Sequence, residues 1–347
     1  MFDNVSYDGH EQVLHVQDTH SGLRAIVALH STSLGPAGGG CRLWSYKDPR
    51  AALVDALRLS RGMSYKNALA GLKMGGGKAV VLGPVPADAR LAVFEALGDA
   101  VDRLGGRYVT AEDVGVTVGD MKVVASRTKY VSGLSGEGGA GGDPSPYTAK
   151  GVRMAMEAVA LHRLDAPALE GLRIAVQGLG GVGGNLCREL AERGASLIVA
   201  DVDTERVERI CDEYHAERTD VETVLLSDAD IVAPCALGGV LSEDVVPKLR
   251  ARAVVGGANN QLLSSAAGRM LFDRQITYAP DYLVNAGGII MVAAEYFGTN
   301  SEERVHADIE RIFDRTVEVL TRSRQYGLPA DVVADQMAAD AIARART

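Results

Sequence analysis

The chain has 347 residues, more than a single domain usually contains, and its 47% hydrophobic and 23% charged residues are typical of a globular protein. The formal net charge of -9, without any Lys/Arg-rich block, argues against nucleic acid as a partner. No apolar stretch has the length of a membrane span, and the N-terminus has no signal-peptide pattern. We therefore expect a cytoplasmic protein without a membrane partner.

Neither the cysteines nor the histidines form a metal-binding pattern. The four cysteines are far apart and include no Cys-x-x-Cys pair, which indicates reduced thiols rather than a disulfide framework or a zinc ribbon. The string from His10 to His15 resembles a zinc-binding helix, but three residues instead of two separate Glu11 from His15. This spacing breaks the i, i+4 placement of the histidines, so no metal site is predicted.

The N-terminal part predicts a hairpin, a glycine-rich loop and a helix. Apolar runs on either side of a turn predict two strands between Gln12 and Leu29. Residues 34–42 are too rich in glycine for a regular element and predict a loop whose backbone N–H groups can face a ligand. Pro49 opens a predicted helix with an apolar stripe, and Lys66 lies near its C-terminal end.

Two lysines, Lys66 and Lys78, flank a stretch that contains Gly71 and the triplet Gly75–Gly77. Glycine lets the backbone bend sharply and lets another group approach closely, so the chain could fold back and bring both ammonium groups to one site. Like-charge repulsion and burial would then favour loss of a proton, and such a lysine can act as a base. The alternative is that one or both are solvated surface lysines. A strand that starts at Lys78 and a helix capped by Asp88 are predicted next.

Two acidic residues follow the predicted strand that begins at Tyr108. Glu112 and Asp113 lie in the loop after this strand, where acids are well placed for chemistry, although they could also only solubilise or cap. The pair Thr117 and Asp120 is a helix-start signal. The glycines and prolines of residues 133–146 make that segment the best domain boundary in the sequence.

A dinucleotide-binding pattern lies beyond that boundary. An apolar strand at residues 172–177 leads into G-x-G-x-x-G at Gly178–Gly183, then a helix, a second strand and Asp201. The glycines let a pyrophosphate reach the helix N-terminus, and Asp201 can bond the adenosine ribose hydroxyls, which favours NAD over NADP. Further short apolar strands alternate with helices, as in a parallel sheet buried on both faces. A long amphipathic helix then ends at Gly327.

Taken together, these strings resemble the leucine, valine and phenylalanine dehydrogenases of the glutamate dehydrogenase superfamily. The Gly-Gly-Gly-Lys string is not a P-loop, because Ala79 stands where Ser or Thr is needed. The resemblance covers nearly the whole chain and rests on strings in the family order, at residues 34–42, 61–78, 106–115, 143–151, 176–183, 233–239, 256–261 and 278–288.

The resemblance implies an α/β protein of two domains with the active site in the cleft between them. Residues 1–135 and 327–347 would form an N-terminal α/β domain for substrate binding and oligomerisation. Residues 136–326 would form a Rossmann-type NAD-binding domain. The implied reaction is reversible NAD-dependent oxidative deamination of an L-amino acid to its 2-oxo acid and ammonia, by a homo-oligomer.

The resemblance also implies roles for individual residues. Lys66, with the loop at Gly39, resembles the family's anchor for the substrate carboxylate. Lys78 resembles the catalytic lysine that polarises the carbonyl and activates water, and Asp113 resembles the proton shuttle. Asn260 and Asn285 resemble polar contacts to substrate or nicotinamide. The cofactor-binding residues implied by position are Thr148, Gly178, Gly180, Gly181, Val182, Gly183, Asp201, Cys235, Ala236, Ala258 and Asn259.

Four positions bear on which hydrophobic amino acid is the substrate. Gly38 replaces the leucine that is usual in leucine-type enzymes, which predicts a larger pocket that admits an aromatic side chain. Ala111 resembles the aliphatic-specific pattern, and Ile289 and Val292 would keep the pocket apolar. Because one methylene in an apolar pocket discriminates by only about 1–3 kcal/mol, several substrates can be accepted. Leucine and valine are favoured over phenylalanine.

Two other functions remain as alternatives. A catalytically silent NAD-binding regulator on the same fold would have lost Lys66, Lys78 or Asp113, and all three are present. A dehydrogenase for 2-hydroxy acids would need a catalytic histidine paired with a carboxylate, and none of the seven histidines lies in a recognisable site string.

Overall fold

The computed structural model describes residues 4–134 and 140–346. These residues form two compact α/β units, which confirms the predicted two-domain α/β architecture. Unit 1 comprises the described residues of Met1–Gly142, Val292–Glu302 and Ala338–Thr347, and unit 2 comprises Asp143–Met291 and Glu303–Met337. The predicted domain limits stay a prediction, and the limit between residues 135 and 136 lies outside the described residues.

Unit 1 contains a six-stranded mixed sheet. Its strands are β1 (Gln12–Asp18), β2 (Leu23–Ser31), β3 (Ala37–Gly38), β4 (Cys41–Trp44), β5 (Gly75–Leu82) and β6 (Tyr108–Val109). The helices that accompany them are α1 (Pro49–Leu69), α2 (Arg90–Asp102) and α3 (Val118–Ala125). Strand β2 pairs antiparallel with β1 and β5, whereas β3 and β4 run parallel to β5.

The two faces of this sheet pack against different helices, because neighbouring side chains on a strand point to opposite sides. On one face Val27 of β2 lies in a buried cluster with Phe94 of α2. On the other face Val80 of β5 packs with Ala56 of α1. Lys78 stands two residues before Val80 and therefore lies on the face that α1 covers.

The glycine triplet begins strand β5 instead of forming a bend. Gly71, with φ of 68°, supplies the change of direction between α1 and β5. A Cβ added to Gly76 would lie 2.0 Å from the backbone nitrogen of Ser64 in α1. Glycine is thus needed at position 76 because α1 and β5 approach too closely there for a side chain, which agrees with the predicted close approach but not with the predicted bend.

Two local predictions for unit 1 were wrong. Residues 34–42 are not one loop, because β3 and the start of β4 lie within them and pair with β5. Asp88 does not cap α2: the N-cap is Ala89, whose backbone is already helical, and no side chain bonds to this helix start. By contrast, the predicted helix-start signal is confirmed, because Thr117 and Asp120 form a capping box at the start of α3.

Unit 2 contains a six-stranded sheet in which all strands are parallel. Its strands are β7 (Arg173–Gln177), β8 (Ser196–Ala200), β9 (Glu217–Arg218), β10 (Ile231–Pro234), β11 (Ala253–Val254) and β12 (Thr277–Tyr278). The order β12-β11-β10-β7-β8-β9 is that of a dinucleotide-binding sheet, so the Rossmann-type topology is confirmed.

The remaining helices complete the chain, and some of them contain residues of both units. They are α4 (Ser145–Arg163), α5 (Gly181–Ala191), α6 (Thr204–Tyr214), α7 (Ser265–Asp273), α8 (Asp281–Val284), α9 (Gly287–Tyr296), α10 (Glu302–Tyr326) and α11 (Ala330–Arg344). Two short 3-10 helices span Val224–Leu226 and Val246–Lys248. Within residues 4–134 and 140–346, no helix combines the length and the apolar character that crossing a membrane would require.

Candidate active site

Lys78 and Asp113 form an ion pair in unit 1. Lys78 lies on β5, and its Nζ is 2.7 Å from Oδ2 of Asp113, which stands in the loop after β6. The Lys78 side chain is only 7% exposed, so the carboxylate of Asp113 replaces much of the hydration that its ammonium group has lost. The structure therefore brings together the two residues that the sequence indicated as catalytic.

The same carboxylate binds a second cation, Arg42 of β4. Arg42 Nε donates to Oδ2 of Asp113 at 3.1 Å, and its Nη1 donates to Oδ2 of Asp55 in α1 at 3.0 Å. The Tyr46 hydroxyl donates to the same Asp55 oxygen at 2.6 Å. Lys78, Asp113, Arg42, Asp55 and Tyr46 thus form one continuous polar chain across β5, β4 and α1.

Opposing effects set the pKa of Asp113. Burial favours the neutral carboxyl, but the Lys78 ammonium and the Arg42 guanidinium together outweigh burial and hold its pKa below the ordinary value. The carboxylate is consequently charged at neutral pH. A charged carboxylate can accept a proton, and the lysine ammonium in contact with it can donate one. The pair can therefore move a proton in either direction, which is what acid–base catalysis requires.

The loop that carries Asp113 is held by backbone hydrogen bonds from the segment after β3. Gly39 N donates to Val109 O at 3.1 Å, and Cys41 N donates to Ala111 O at 2.7 Å. The predicted substrate residues Gly39 and Ala111 are thereby placed on the two backbone segments that flank the ion pair.

Two more predicted substrate residues belong to unit 1. Lys66 lies in the last turn of α1, the helix that covers the Lys78 face of the sheet, and it is partly buried. Val292 lies in α9, and its carbonyl accepts a hydrogen bond from the Ser132 hydroxyl at 2.7 Å.

The space beside Gly38 is not empty. A Cβ added to Gly38 would lie 2.1 Å from Sδ of Met74, whose side chain is 1% exposed. The sequence predicted that glycine at this position enlarges the substrate pocket. In the structure Met74 occupies the room that a side chain at position 38 would take, so the loss of one side chain is offset by another.

In unit 2 the predicted glycine string forms a tight turn between β7 and α5. Gly178 has φ of 89°, which favours glycine, and a Cβ there would lie 2.6 Å from that of Ala236. A Cβ on Gly183 would lie 1.8 Å from the Gly178 carbonyl oxygen. Gly180 meets only the end of Arg206, 3.8 Å from its ideal Cβ, so this side of the turn is open. Gly181 and Val182 begin α5.

Asp201 follows β8 and holds this turn from the side. Its carboxylate accepts hydrogen bonds from the backbone N–H groups of Leu179, at 2.5 Å, and Asp203, at 2.8 Å. An open groove of about 330 Å³ adjoins the turn and is lined in part by Arg188, Arg206 and Tyr214.

These features fit a dinucleotide. A start of α5 that no side chain caps, an open glycine turn and a carboxylate at the end of the neighbouring strand are what a pyrophosphate and a ribose require. The residues that would hold the cofactor are the turn at Gly178–Gly183 and Asp201.

The remaining predicted residues lie after other strands of the same sheet or on adjoining helices. Asn285, at the end of α8, donates to Asn259 Oδ1 at 2.8 Å and to the Gly257 carbonyl at 3.2 Å. Asn260 has a left-handed backbone with φ of 54°, and its N–H bonds to Asp281. The others are Cys235 and Ala236 after β10, Ala258 after β11, Thr148 in α4 and Ile289 in α9.

The sequence analysis missed Arg42, Asp55, Tyr46 and Met74. A signal for Asp55 was available: it precedes Lys66 by three helical turns in α1, so both lie on one helix face. Arg42 closes the glycine-rich string but carried no spacing that pointed to Asp113. These contacts join residues far apart in sequence.

Comparison with known proteins agrees with this geometry. Residues 10–130 match a family model described as Glu/Leu/Phe/Val dehydrogenase, dimerisation domain. Residues 199–347 match a model described as Glutamate/Leucine/Phenylalanine/Valine dehydrogenase. The first match covers the Lys78–Asp113 pair, and the second covers Asp201 and the loops after β10 and β11.

Similar proteins extend over the full chain. The chain is 47% identical over 337 residues to a leucine dehydrogenase of Geobacillus stearothermophilus, covering 97% of this chain and 91% of the relative. It is 46% identical over 341 residues to a valine dehydrogenase of Streptomyces virginiae, covering 97% of this chain and 95% of the relative. The crystal structure of L-tryptophan dehydrogenase from Nostoc punctiforme superposes with a TM-score of 0.87 at 39% identity, covering 97% of both chains.

Full-length identity of this size, together with two family matches in the expected order, identifies the reaction class as that of an oxidoreductase acting on CH–NH2 donors with a nicotinamide cofactor. The chain belongs to the glutamate/leucine/phenylalanine/valine dehydrogenase family of amino-acid dehydrogenases.

Proposed function

We propose that the protein catalyses the reversible, NAD-dependent oxidative deamination of a hydrophobic L-amino acid, with leucine and valine preferred, to the 2-oxo acid and ammonia. The observation that carries the proposal is the ion pair of the buried Lys78 with the partly buried Asp113, because oxidation of a CH–NH2 carbon needs a group that removes protons from the nitrogen. The leucine and valine dehydrogenases that resemble this chain support the substrate class.

Unit 1 supplies the groups that bind substrate and move protons. Lys66 holds the substrate carboxylate as a fixed cation, with the backbone at Gly39 beside it. Asp113 takes a proton from the substrate ammonium group, so that the nitrogen lone pair can form the C=N bond when the Cα–H bond breaks. Lys78 then assists water in attacking the imino carbon, after which ammonia leaves and the 2-oxo acid remains.

Unit 2 supplies the groups that hold the cofactor. The backbone of Gly178–Gly183 binds the pyrophosphate, Asp201 binds the adenosine ribose hydroxyls, and Thr148 lies on the nicotinamide side. NAD, when bound, serves as the two-electron acceptor. Asp201 favours NAD because a 2′-phosphate would be placed next to its carboxylate.

The substrate side chain would contact Ala111, Ile289, Val292 and the region of Gly38. Met74 fills the space beside Gly38, which supports branched aliphatic substrates over aromatic ones. An aromatic amino acid is the second candidate, favoured by the 39% identity to an L-tryptophan dehydrogenase and by the flexibility of a methionine side chain. Asn260 and Asn285 would add polar contacts to substrate or nicotinamide.

We also propose that the protein is a cytoplasmic homo-oligomer assembled through unit 1. The match of residues 10–130 to a dimerisation domain supports this assembly. Equilibrium sedimentation would measure it, and a monomer at micromolar concentration would contradict it.

A panel of substrates tests the proposed function directly. L-Leucine, L-valine, L-phenylalanine, L-tryptophan and L-lactate are each combined with NAD or NADP, and reduced cofactor is followed by absorbance. We expect leucine and valine with NAD to give the highest kcat/KM. Cofactor binding without reduction by any amino acid would instead indicate a silent regulator, and reduction with lactate alone would indicate a 2-hydroxy acid dehydrogenase.

A further inference from the structure

Arg42 lies between two carboxylates of unit 1. Its side chain is 23% exposed, and it donates through Nε to Asp113 and through Nη1 to Asp55. Because Asp55 also accepts from the Tyr46 hydroxyl, the far end of the guanidinium has a fixed partner. A planar guanidinium with two anchors has little freedom to rotate, so the position of its Nε is well defined.

The backbone around Arg42 is joined to the loop that carries Asp113. Hydrogen bonds flank Arg42 on both sides, from Cys41 to Ala111 and from Leu43 to Val114. These bonds fix the strand that carries the guanidinium relative to the loop that carries the carboxylate.

Contact between the two segments is close as well. A Cβ on Gly40 would lie 2.9 Å from Cβ of Asp113 and 2.6 Å from the Glu112 carbonyl oxygen. The absence of a side chain at position 40 therefore makes room for Asp113 beside Arg42.

The two cations on Asp113 differ in one chemical respect. Lysine can lose its proton, whereas the arginine guanidinium stays charged at any pH at which the protein is folded. If Lys78 alone held Asp113, each loss of the lysine proton would release the carboxylate. Arg42 keeps a permanent charge on the same oxygen, so Asp113 stays in place while Lys78 changes its protonation state.

We propose that Arg42, anchored by Asp55, is a positioning residue that holds the Asp113 carboxylate beside Lys78 through the proton-transfer steps. The proposal rests on the proposed function, in which Asp113 and Lys78 move protons. Arg42 itself need not touch substrate: its effect passes through Oδ2 of Asp113.

The groups around Asp113 determine what loss of Arg42 would do. Lys78 and Arg42 are the charged groups that contact its carboxylate, and Asp55 lies behind Arg42. The thiol of Cys41 and the hydroxyl of Tyr108 lie nearby, and burial raises the pKa of both, so both are neutral. Removing Arg42 therefore takes away one of two cations, and we expect the pKa of Asp113 to rise.

The test compares Arg42→Met and Arg42→Lys with the wild-type full-length enzyme. We expect Arg42→Met to lower kcat by about 100-fold, the size of effect that a 1 Å misplacement can cause, with a much smaller change in amino-acid KM. The acid limb of its kcat/KM profile should move to higher pH. Arg42→Lys keeps the charge but replaces two nitrogens of a rigid planar fork with one ammonium nitrogen on a flexible chain, so it should restore the acid limb more fully than kcat.

Two further variants separate positioning from general stability. Asp55→Asn leaves both cations on Asp113 but loosens the anchor of Arg42, so kcat should fall without an upward move of the acid limb. Arg127→Met, which breaks the exposed ion pair with Asp99 in the same unit, is the matched control and should leave both quantities unchanged. If Arg42→Met does not fold, Arg42→Lys and Asp55→Asn carry the test.

The outcomes distinguish this proposal from the proposed function. If the wild type oxidises amino acids but Arg42→Met and Asp55→Asn keep wild-type kcat and acid limb per folded molecule, the positioning role is wrong. If the wild type oxidises no amino acid, the proposed function fails, and carbon-13 NMR titration of the Asp113 carboxyl still decides the contact. An Asp113 pKa that is equal in wild type and Arg42→Met would overturn it, and so would a raised Asp113 pKa in Asp55→Asn.

Discussion

The two units of this protein build their sites in different ways. Unit 2 uses backbone: a glycine turn, the N-terminus of α5 and one carboxylate, Asp201, at the end of the neighbouring strand. Unit 1 uses charged side chains: Lys78 and Arg42 from two strands meet Asp113 from a loop and Asp55 from a helix.

The difference follows from what each site would have to do in the proposed function. A dinucleotide pyrophosphate is bound by oriented N–H groups, which any sequence with glycines in the right places can supply. Proton transfer needs titrating groups held in contact, and the groups must be desolvated together so that each compensates the other. Unit 2 therefore depends on local chain geometry, whereas unit 1 depends on packing between distant elements.

The largest expected effect separates catalysis in unit 1 from binding in unit 2. Lys78→Ala should lower kcat by about 10²–10⁴-fold, because general acid–base catalysis contributes that much, while the Kd for NAD stays within a few-fold. Steady-state kinetics measure kcat, and NAD titration by fluorescence measures the Kd. Lys73→Ala, an exposed lysine of the same stretch, is the control and should behave as wild type. Normal deamination by Lys78→Ala would show that the charge network is structural only.

The second prediction concerns two buried histidines next to α1 in unit 1. Burial, reinforced by neighbouring His10 and opposed by Asp8, lowers the pKa of His30 to about 4 from an ordinary value of 6.5. Unfolded His30 binds a proton below pH 6.5 and folded His30 does not, so the free energy of unfolding should fall as pH drops from 6.5 to 4. The contribution is about 3 kcal/mol when complete.

Urea unfolding at pH 7 and pH 4.5 measures this effect, followed by fluorescence of Trp44, the single tryptophan, which lies in unit 1. His30→Gln should lose less stability on acidification than the wild type does. His20→Gln, at an exposed histidine, should lose as much as the wild type. Equal losses in all three proteins would contradict the lowered pKa.

The third prediction concerns Asp201, the carboxylate of the proposed cofactor site in unit 2. Asp201→Asn removes charged hydrogen bonds, each contributing about 1.5–3 kcal/mol, so the kcat/KM ratio of NAD to NADP should fall by about 10-fold or more. Most of the change should lie in the cofactor KM rather than in kcat. Asp212→Asn, an exposed acid of α6, controls for loss of charge. An unchanged ratio would mean that Asp201 only holds the glycine turn.

The smallest expected effect tests whether Met74 sets substrate size. Met74→Val should open space beside Gly38 and raise the kcat/KM ratio of phenylalanine to valine by about 10-fold, in line with the 1–3 kcal/mol of one methylene. Met121→Val alters an equally buried methionine of another cluster in unit 1 and should destabilise without changing the ratio. A ratio that moves equally in both variants would point to general loosening of unit 1.

The site in unit 2 could be predicted from sequence because its parts are consecutive. Strand, glycine turn, helix, strand and Asp201 lie within about thirty residues in a βαβ unit, and each local preference agrees with the final structure. The Asp88 cap shows the limit of such local reading, since the actual start of α2 depends on a turn already formed by residues 86–90.

In unit 1 the sequence and the family resemblance indicated Lys66, Lys78 and Asp113 but not what holds them. The contact of Arg42 with Asp113 joins β4 to a loop after β6, and no periodicity or spacing encodes such a contact. The same holds for Met74, which fills the space beside Gly38 because β3 packs over the residue before β5. These features depend on three-dimensional packing of side chains that the one-dimensional pattern does not specify.

The sequence by itself determined the two α/β units and the glycine turn, because hydrophobic periodicity and glycine placement act over short distances along the chain. The reaction class came from the resemblance of its strings to a known family. Tertiary structure alone decided that two cations share the Asp113 carboxylate, that α1 lies against Gly76, and that a methionine replaces the side chain missing at Gly38. These contacts arise from burial. Where distant segments pack together and exclude water, buried charges have to be paired and side-chain volumes have to fit one another.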